Sequence, residues 1–217
     1  MKIESINIGR PEPIDPGRPE KLSGIFKRPV TGPVVVTRLG IPEDAVVSTR
    51  HHGGPGQALY LYSTEDYRWW AAQGVTTGPG QFGENLTVSG LESAALCIGD
   101  RFTAGAVEME VTAPRIPCAN FAAKMGDPGV VKRFRDAARP GAYLRVIAEG
   151  ELCAGQEMQF VPFEGDRLTL EEHFRLAFVA AKALPGRDMV ERLLALPIAE
   201  RARDDALEWL AAHEARA

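Results

Sequence analysis

Cys118 sits in the stretch PRIPCAN, residues 114–120, just after a proline and just before a helical pattern. A thiol at a helix N-terminus meets unpaired backbone N–H groups, which favour the thiolate. Arg115 stands three residues upstream. From Arg115 to Arg145 seven basic residues, Arg115, Lys124, Lys132, Arg133, Arg135, Arg139 and Arg145, face only Asp127 and Asp136. The whole chain has a net charge of −4, so this local excess stands out. A thiolate beside positive charge suits an anionic ligand that carries a soft metal. The competing reading is a solvated basic helix over a small buried cysteine. For Cys97 in ALCIGD and Cys153 in ELCAG the buried-cysteine reading is preferred.

A second candidate is HHGGPGQALYLY, residues 51–62, which holds two of the four histidines. Adjacent residues of an extended segment point to opposite faces, so His51 and His52 do not converge on one metal. Neither HExxH nor a CxxC pair is present to support zinc. Gly53 and Gly54 let the backbone approach an anion, yet neither GxxxxGK[ST] nor GxGxxG occurs. The alternatives here are a ligand loop and a tight turn before a strand. In QFGENLTVSGL, residues 81–91, Gly83 and Asn85 form another polar island. Asn85 caps a turn or binds a ligand, and spacing does not decide which.

These residues need a frame. A chain of 217 residues holds one large domain, or one domain with a small appendage. Hydrophobic residues at 45% and charged residues at 25% are those of an ordinary globule. The acidic balance argues against coating nucleic acid or an anionic membrane. Three cysteines with no CxxC pair argue against a disulfide framework. No apolar run approaches a membrane span, and MKIESINIGR lacks a signal-peptide core. A cytoplasmic location is the expectation.

Short β-branched runs with glycine and proline between them fill residues 2–161. RPEPIDPGRPE, residues 10–20, reads as a surface loop. Ser63 with Asp66 starts a helix that Gly74 ends, and helical pattern returns at 119–125 and 128–138. Many strands and few helices predict a mainly β fold, a barrel or a sandwich. After Pro162 the strand pattern stops. Thr169 with Glu172 makes a capping box for a helix to about Leu184, and two further helices follow. The expected domains are 1–163 and a three-helix unit over 164–217. Residues 166–217 carry ten acidic residues against eight basic ones, so a DNA-reading tail is disfavoured.

HGGPGQALYLY, FGENLTVSGL, IGD and PRIPC follow one another in an order that resembles the MOSC family. That family takes its name from the C-terminal domain of molybdenum cofactor sulfurases. GIFKRPV and the helical tail resemble its YiiM-type branch. The resemblance implies a MOSC-type β-barrel that binds the molybdenum cofactor (molybdopterin). Carried onto this chain, it makes Cys118 the metal ligand or the sulfur carrier. It implies Arg115, Asn85, Gly83, Gly53 and Gly54 as further cofactor-binding residues. Lys27, His52 and Cys118 match the residues tied to reduction of N-hydroxylated compounds such as 6-hydroxylaminopurine, a detoxification. The alternative is a cofactor carrier or sulfur-transfer protein that does no reduction. After HGGP the family usually has an acidic and then a basic residue, whereas this chain has Gly56 and Gln57. Neither a dinucleotide fingerprint nor iron–sulfur spacing is visible. The expected partners are an N-hydroxylated small molecule, a separate electron-donating reductase and, in a homodimer, a second copy. Nucleic acid and membrane are not expected.

Overall fold

The computed structural model describes residues 1–49, 52–179 and 186–214. Its strands are β1 (Lys2–Gly9), β2 (Glu12–Pro13), β3 (Leu22–Ser23), β4 (Lys27–Pro29), β5 (Val34–Val36), β6 (Leu59–Ser63), β7 (Leu86–Ser89), β8 (Arg101–Ala104), β9 (Val107–Pro114), β10 (Ala142–Ala148), β11 (Gly150–Leu152) and β12 (Gln159–Val161). Helix α1 (Thr64–Ala72) crosses between β6 and β7, and α2 (Ala119–Met125) and α3 (Val130–Ala137) lie between β9 and β10. The tail holds α4 (Leu170–Val179), α5 (Arg187–Ala195) and α6 (Glu200–Glu214).

The main sheet runs β12-β8-β9-β10-β6-β7-β1-β4. All its pairs are antiparallel except β6 with β7, which are parallel because α1 carries the chain back across. The minor pairs are β5 with β11 and β2 with β3. The fold is sheet-dominated with several helices. Among the described residues the ladder does not close from β12 to β4.

Strand β6 shows why both faces are covered. Every residue of β6 is buried. Side chains alternate along a strand. Leu59 and Leu61 therefore enter an aliphatic core with Ile3, Val88 and Leu144, while Tyr60 and Tyr62 enter an aromatic core. Phe82 is the hub of the second core, with ring centroids 5.0–5.9 Å from Tyr62, Tyr67, Trp70, Phe121 and Phe134. Helices α1, α2, α3 and α4 all reach this cluster, through Trp70, Phe121, Phe134 and Phe174.

Local signals set the helix starts. Ser63 Oγ accepts from Asp66 N at 3.0 Å, capping α1. Thr169 Oγ1 accepts from Glu172 N at 3.1 Å, and Glu172 accepts from Thr169 N at 2.9 Å, a reciprocal box at α4. The end expected near Leu184 lies outside the described residues. Residues 10–20 are mostly irregular, but Glu12–Pro13 pairs with Leu22–Ser23.

The tail reaches the main core: Leu168, Leu170, Leu196 and Ile198 are buried in the aliphatic cluster. The start of α6 presses on the Pro55–Gln57 turn that leads into β6. A Cβ on Gly56 would fall 3.0 Å from Ala199 Cα and closer still to Glu200 Oε2. Gly56→Ala is therefore expected to cost about 1–3 kcal/mol. Gly78→Ala, where nothing lies within 4 Å, is expected to stay within about 0.5 kcal/mol. Urea unfolding compares the two, and equal stability of both variants would contradict this packing.

Candidate functional site

The end of β1 and the starts of β4, β6 and β7 form one rim of the sheet, and the pocket beside it also takes residues from β10 and from the segment between β9 and α2. The polar side chains singled out in the sequence meet there. A partly open pocket, about 730 Å³ when counted out into solvent, is lined by Lys27, His52, Gly53, Gly83, Asn85, Arg115 and Cys118. It also takes in Asp44, Tyr60 and Tyr143, which the sequence did not suggest. Gly54 is absent from the lining, and His51 lies outside the described residues.

Lys27 opens β4, and its side chain is only 9% exposed. Burial pulls its pKa down, and the opposing pull comes from Asp44. The ammonium bonds directly to Asp44 Oδ2. Asp44 also accepts from Gly9 N at 2.7 Å and from Asn85 Nδ2 at 2.9 Å. One carboxylate thus ties β1, β4 and the approach to β7 together. Asn85 serves here as a fastener: its Oδ1 accepts from Tyr60 N at 3.2 Å.

The FGEN turn hangs on Glu84, which is fully buried. It accepts from Tyr67 Oη at 2.7 Å, Gly80 N at 2.7 Å, Thr87 Oγ1 at 2.8 Å and Phe82 N at 3.2 Å. Burial still pushes its pKa up. Gly83 has φ +83°, and a Cβ there would strike Ile25 Cγ1 at 2.9 Å. Gly53 has φ +77° and packs against Val46 in the same way. Those glycines answer to backbone shape and close approach.

Arg115 is 4% exposed, with its guanidinium 5.1 Å from the Tyr60 ring centre and 4.8 Å from that of Phe121. Its Nη1 is buried and meets no hydrogen-bond partner. A buried donor left unpaired is costly unless a ligand completes it. His52 Nδ1 lies 3.1 Å from Tyr143 Oη, so the tyrosine fixes the ring. Lys27 does not share that contact; its partner is Asp44. Cys118 is the N-cap of α2, at the strand-to-helix junction the sequence implied, and is partly buried.

The basic excess between 115 and 145 is not a positive surface facing the thiol. Lys132 pairs with Asp136, Arg133 with Asp127, Arg139 with Asp66, and Arg145 with Glu110 and Glu200. Of the seven, only Arg115 lines the pocket. Lys124 sits behind it, donating to the carbonyls of Ile25 at 2.9 Å and Gly80 at 2.6 Å. Burial brings its pKa down to about 8. Counting charge along the sequence missed the acidic partners because most lie far away in the chain. Cys97 is buried, as expected, and its thiol pKa is raised by burial; Cys153 is only partly buried.

Among the described residues, no group of three or more His, Cys, Asp or Glu side chains converges on a metal position. A MOSC domain model matches residues 48–159, which contain both the glycine loop and Cys118. The chain belongs to the MOSC domain family. It is 30% identical to "Uncharacterized protein YflK" of Bacillus subtilis (strain 168) over 195 residues, covering 88% of this chain and 86% of that one. It is 30% identical to "Protein YiiM" of Escherichia coli (strain K12) over 163 residues, covering 73% and 72%. A Gibberella moniliformis protein named "Reductase" is 31% identical over 147 residues, covering 65% of this chain and 26% of that protein. The crystal structure of YiiM from Geobacillus stearothermophilus superposes with a TM-score of 0.77 at 26% identity, covering 95% and 97% of the two chains. No helix among the described residues is long and apolar enough to cross a membrane.

The Lys27–Asp44 pair gives this MOSC chain an asymmetric test. Asp44→Ala strips the counter-charge from a buried ammonium and the acceptor from two further donors. It is expected to cost about 3–5 kcal/mol. Lys27→Met leaves Asp44 with Gly9 N and Asn85 Nδ2 and is expected to cost less than half as much. Chemical unfolding measures both, and a Lys27→Met cost equal to or above that of Asp44→Ala would overturn this ordering.

Proposed function

We propose that this chain binds the molybdenum cofactor in the rim pocket and reduces N-hydroxylated compounds such as 6-hydroxylaminopurine. The MOSC family is associated with that cofactor. The observation that carries the reading is the orphaned Nη1 of buried Arg115, in one cavity with Cys118, His52 and Lys27. An anionic group such as the cofactor's phosphate completes that donor. Among the described residues no group of three protein donors forms around Cys118, and a single thiol suits a metal whose other ligands arrive with its own organic carrier. The residues present therefore fit the group.

When bound, the cofactor supplies the electron pair. Cys118 holds the metal, and Arg115 and the glycine-rich turns hold the anionic, flat remainder. The overall change, R–NHOH with two electrons and two protons to R–NH2 and water, needs a proton on the departing oxygen. His52 is the side chain that delivers it, an imidazole being suited to proton transfer near neutral pH. Tyr143 Oη orients its ring. Lys27, held by Asp44 at the wall of the same cavity, offers an ammonium N–H to the departing oxygen. A pure carrier has use for Cys118 but none for His52 and Lys27, and their presence in the pocket favours the reductase.

The electrons come, on this reading, from a separate reductase. The Gibberella protein named "Reductase" supports a division of labour, since the shared region covers 26% of it and the rest is additional chain.

Cys118→Ala is expected to lose molybdenum, while Cys97→Ala and Cys153→Ala keep it; equal metal content in all three would sink the ligand assignment. His52→Ala is expected to retain the metal and lose about 10²–10⁴-fold in turnover of 6-hydroxylaminopurine. Full turnover by that variant would favour the carrier. With NADPH alone the purified protein is expected to be inactive, and reduced viologen is expected to restore turnover. Robust NADPH-driven turnover by the isolated chain would contradict the need for a separate donor.

A further inference from the structure

A second chamber adjoins the first. It is half-open, taking in about 950 Å³ when counted out into the surrounding solvent. His52, Gln57, Cys118 and Tyr143 line both chambers, so these four residues form the wall they share. The far side comes from the helical tail: His173 on α4, and Arg201, Ala202 and Asp205 on α6. Pro114, Ile116 and Pro117 give it an apolar side.

Two features mark this chamber as built. The first is His173, whose Nδ1 is shut off from solvent and meets no partner. Burial pulls its pKa down to about 4, so the ring is neutral and offers one donor and one acceptor. The second is the grip of α6 on the glycine loop. Arg201 Nη1 donates to Gln57 Oε1 at 3.3 Å. Glu200 sits over Gly56, where no side chain fits, and accepts from Arg145 Nη2 at 2.8 Å. The tail thus places a carboxylate over Gly56 and a guanidinium on the side chain of Gln57.

We propose that this chamber receives the body of the substrate, a flat, uncharged heterocycle with hydrogen-bond donors and acceptors on its edges, and that Arg201, Asp205 and His173 read those edges. The assignment deepens the reductase reading and rests on it for the reactive N–O group. A cation, an anion and a neutral imidazole around apolar walls match a ligand with mixed edges and no net charge. A phosphate-bearing ligand would face Asp205 unfavourably. The N–O group then lies toward the shared wall, where His52 and Cys118 stand. Gln57 acts as a positioning residue, holding the Arg201 guanidinium at the junction of the two chambers.

Direct binding tests this without turnover. The full-length protein is titrated calorimetrically with 6-hydroxylaminopurine. Arg201→Ala and Asp205→Ala are each expected to weaken binding about tenfold or more, the loss of one charged hydrogen-bond partner. His173→Leu is expected to weaken it as well. Arg68→Ala, an exposed change on α1 in neither chamber, serves as the control. Affinity in Arg201→Ala and Asp205→Ala equal to that of the control overturns the chamber assignment. If one variant fails to fold, the other decides. In the viologen-driven assay both variants are expected to raise KM for the base more than they lower kcat. A protein that binds the base through these residues but never reduces it supports the chamber and sinks the reductase. One that reduces the base with unchanged KM in both variants does the reverse.

Discussion

The pocket depends on keeping positive charge out of water. Lys27, Arg115 and Lys124 are all desolvated within one rim of the sheet. Burying an ammonium or guanidinium costs several kcal/mol unless a partner compensates. Two of the three are compensated from within the chain: Asp44 holds Lys27, and two backbone carbonyls hold Lys124. Arg115 is compensated only in part, by the faces of Tyr60 and Phe121 and by the nearby hydroxyls of Tyr60 and Tyr143, and its Nη1 is left over. The fold carries that imbalance because the surrounding strands and two cores over-determine the position. Such residual strain in polar satisfaction is where a binding site is to be sought.

The arrangement also explains why the helical tail matters to the site. Its first residues, Leu168 and Leu170, belong to the aliphatic core, and Phe174 belongs to the aromatic one. Anchored twice, the tail returns through α6 onto the turn at Gly56 and Gln57. Loop and tail therefore hold one another in place. The glycine at 56 is required by that contact, and the polar residue at 57 is read by Arg201.

Local chemistry was legible in the sequence where it is carried by neighbours. The pairs Ser63/Asp66 and Thr169/Glu172 mark helix starts because a cap acts across three residues. Cys118 at a strand-to-helix junction could be read from a proline followed by helical periodicity. Asp44 and Tyr143 could not. Asp44 stands in an irregular loop without a motif, and Tyr143 reaches His52 across 91 residues. The basic stretch from 115 to 145 misled for the same reason, since Glu110, Asp66 and Glu200 neutralise it from elsewhere. The expected barrel came from family resemblance, and periodicity alone left barrel and sandwich open. The described ladder is an eight-stranded sheet with one parallel pair.

The central claim is that the unpaired donor of buried Arg115 awaits an anionic group on a flat ligand. The direct measurement is the affinity of the full-length protein for a monophosphorylated pterin against the same pterin without phosphate, in wild type and in Arg115→Met. The account requires the wild type to prefer the phosphorylated form by about tenfold or more, and the variant to lose that preference. Equal affinity for both forms in the wild type, or an unchanged preference in Arg115→Met, would contradict it.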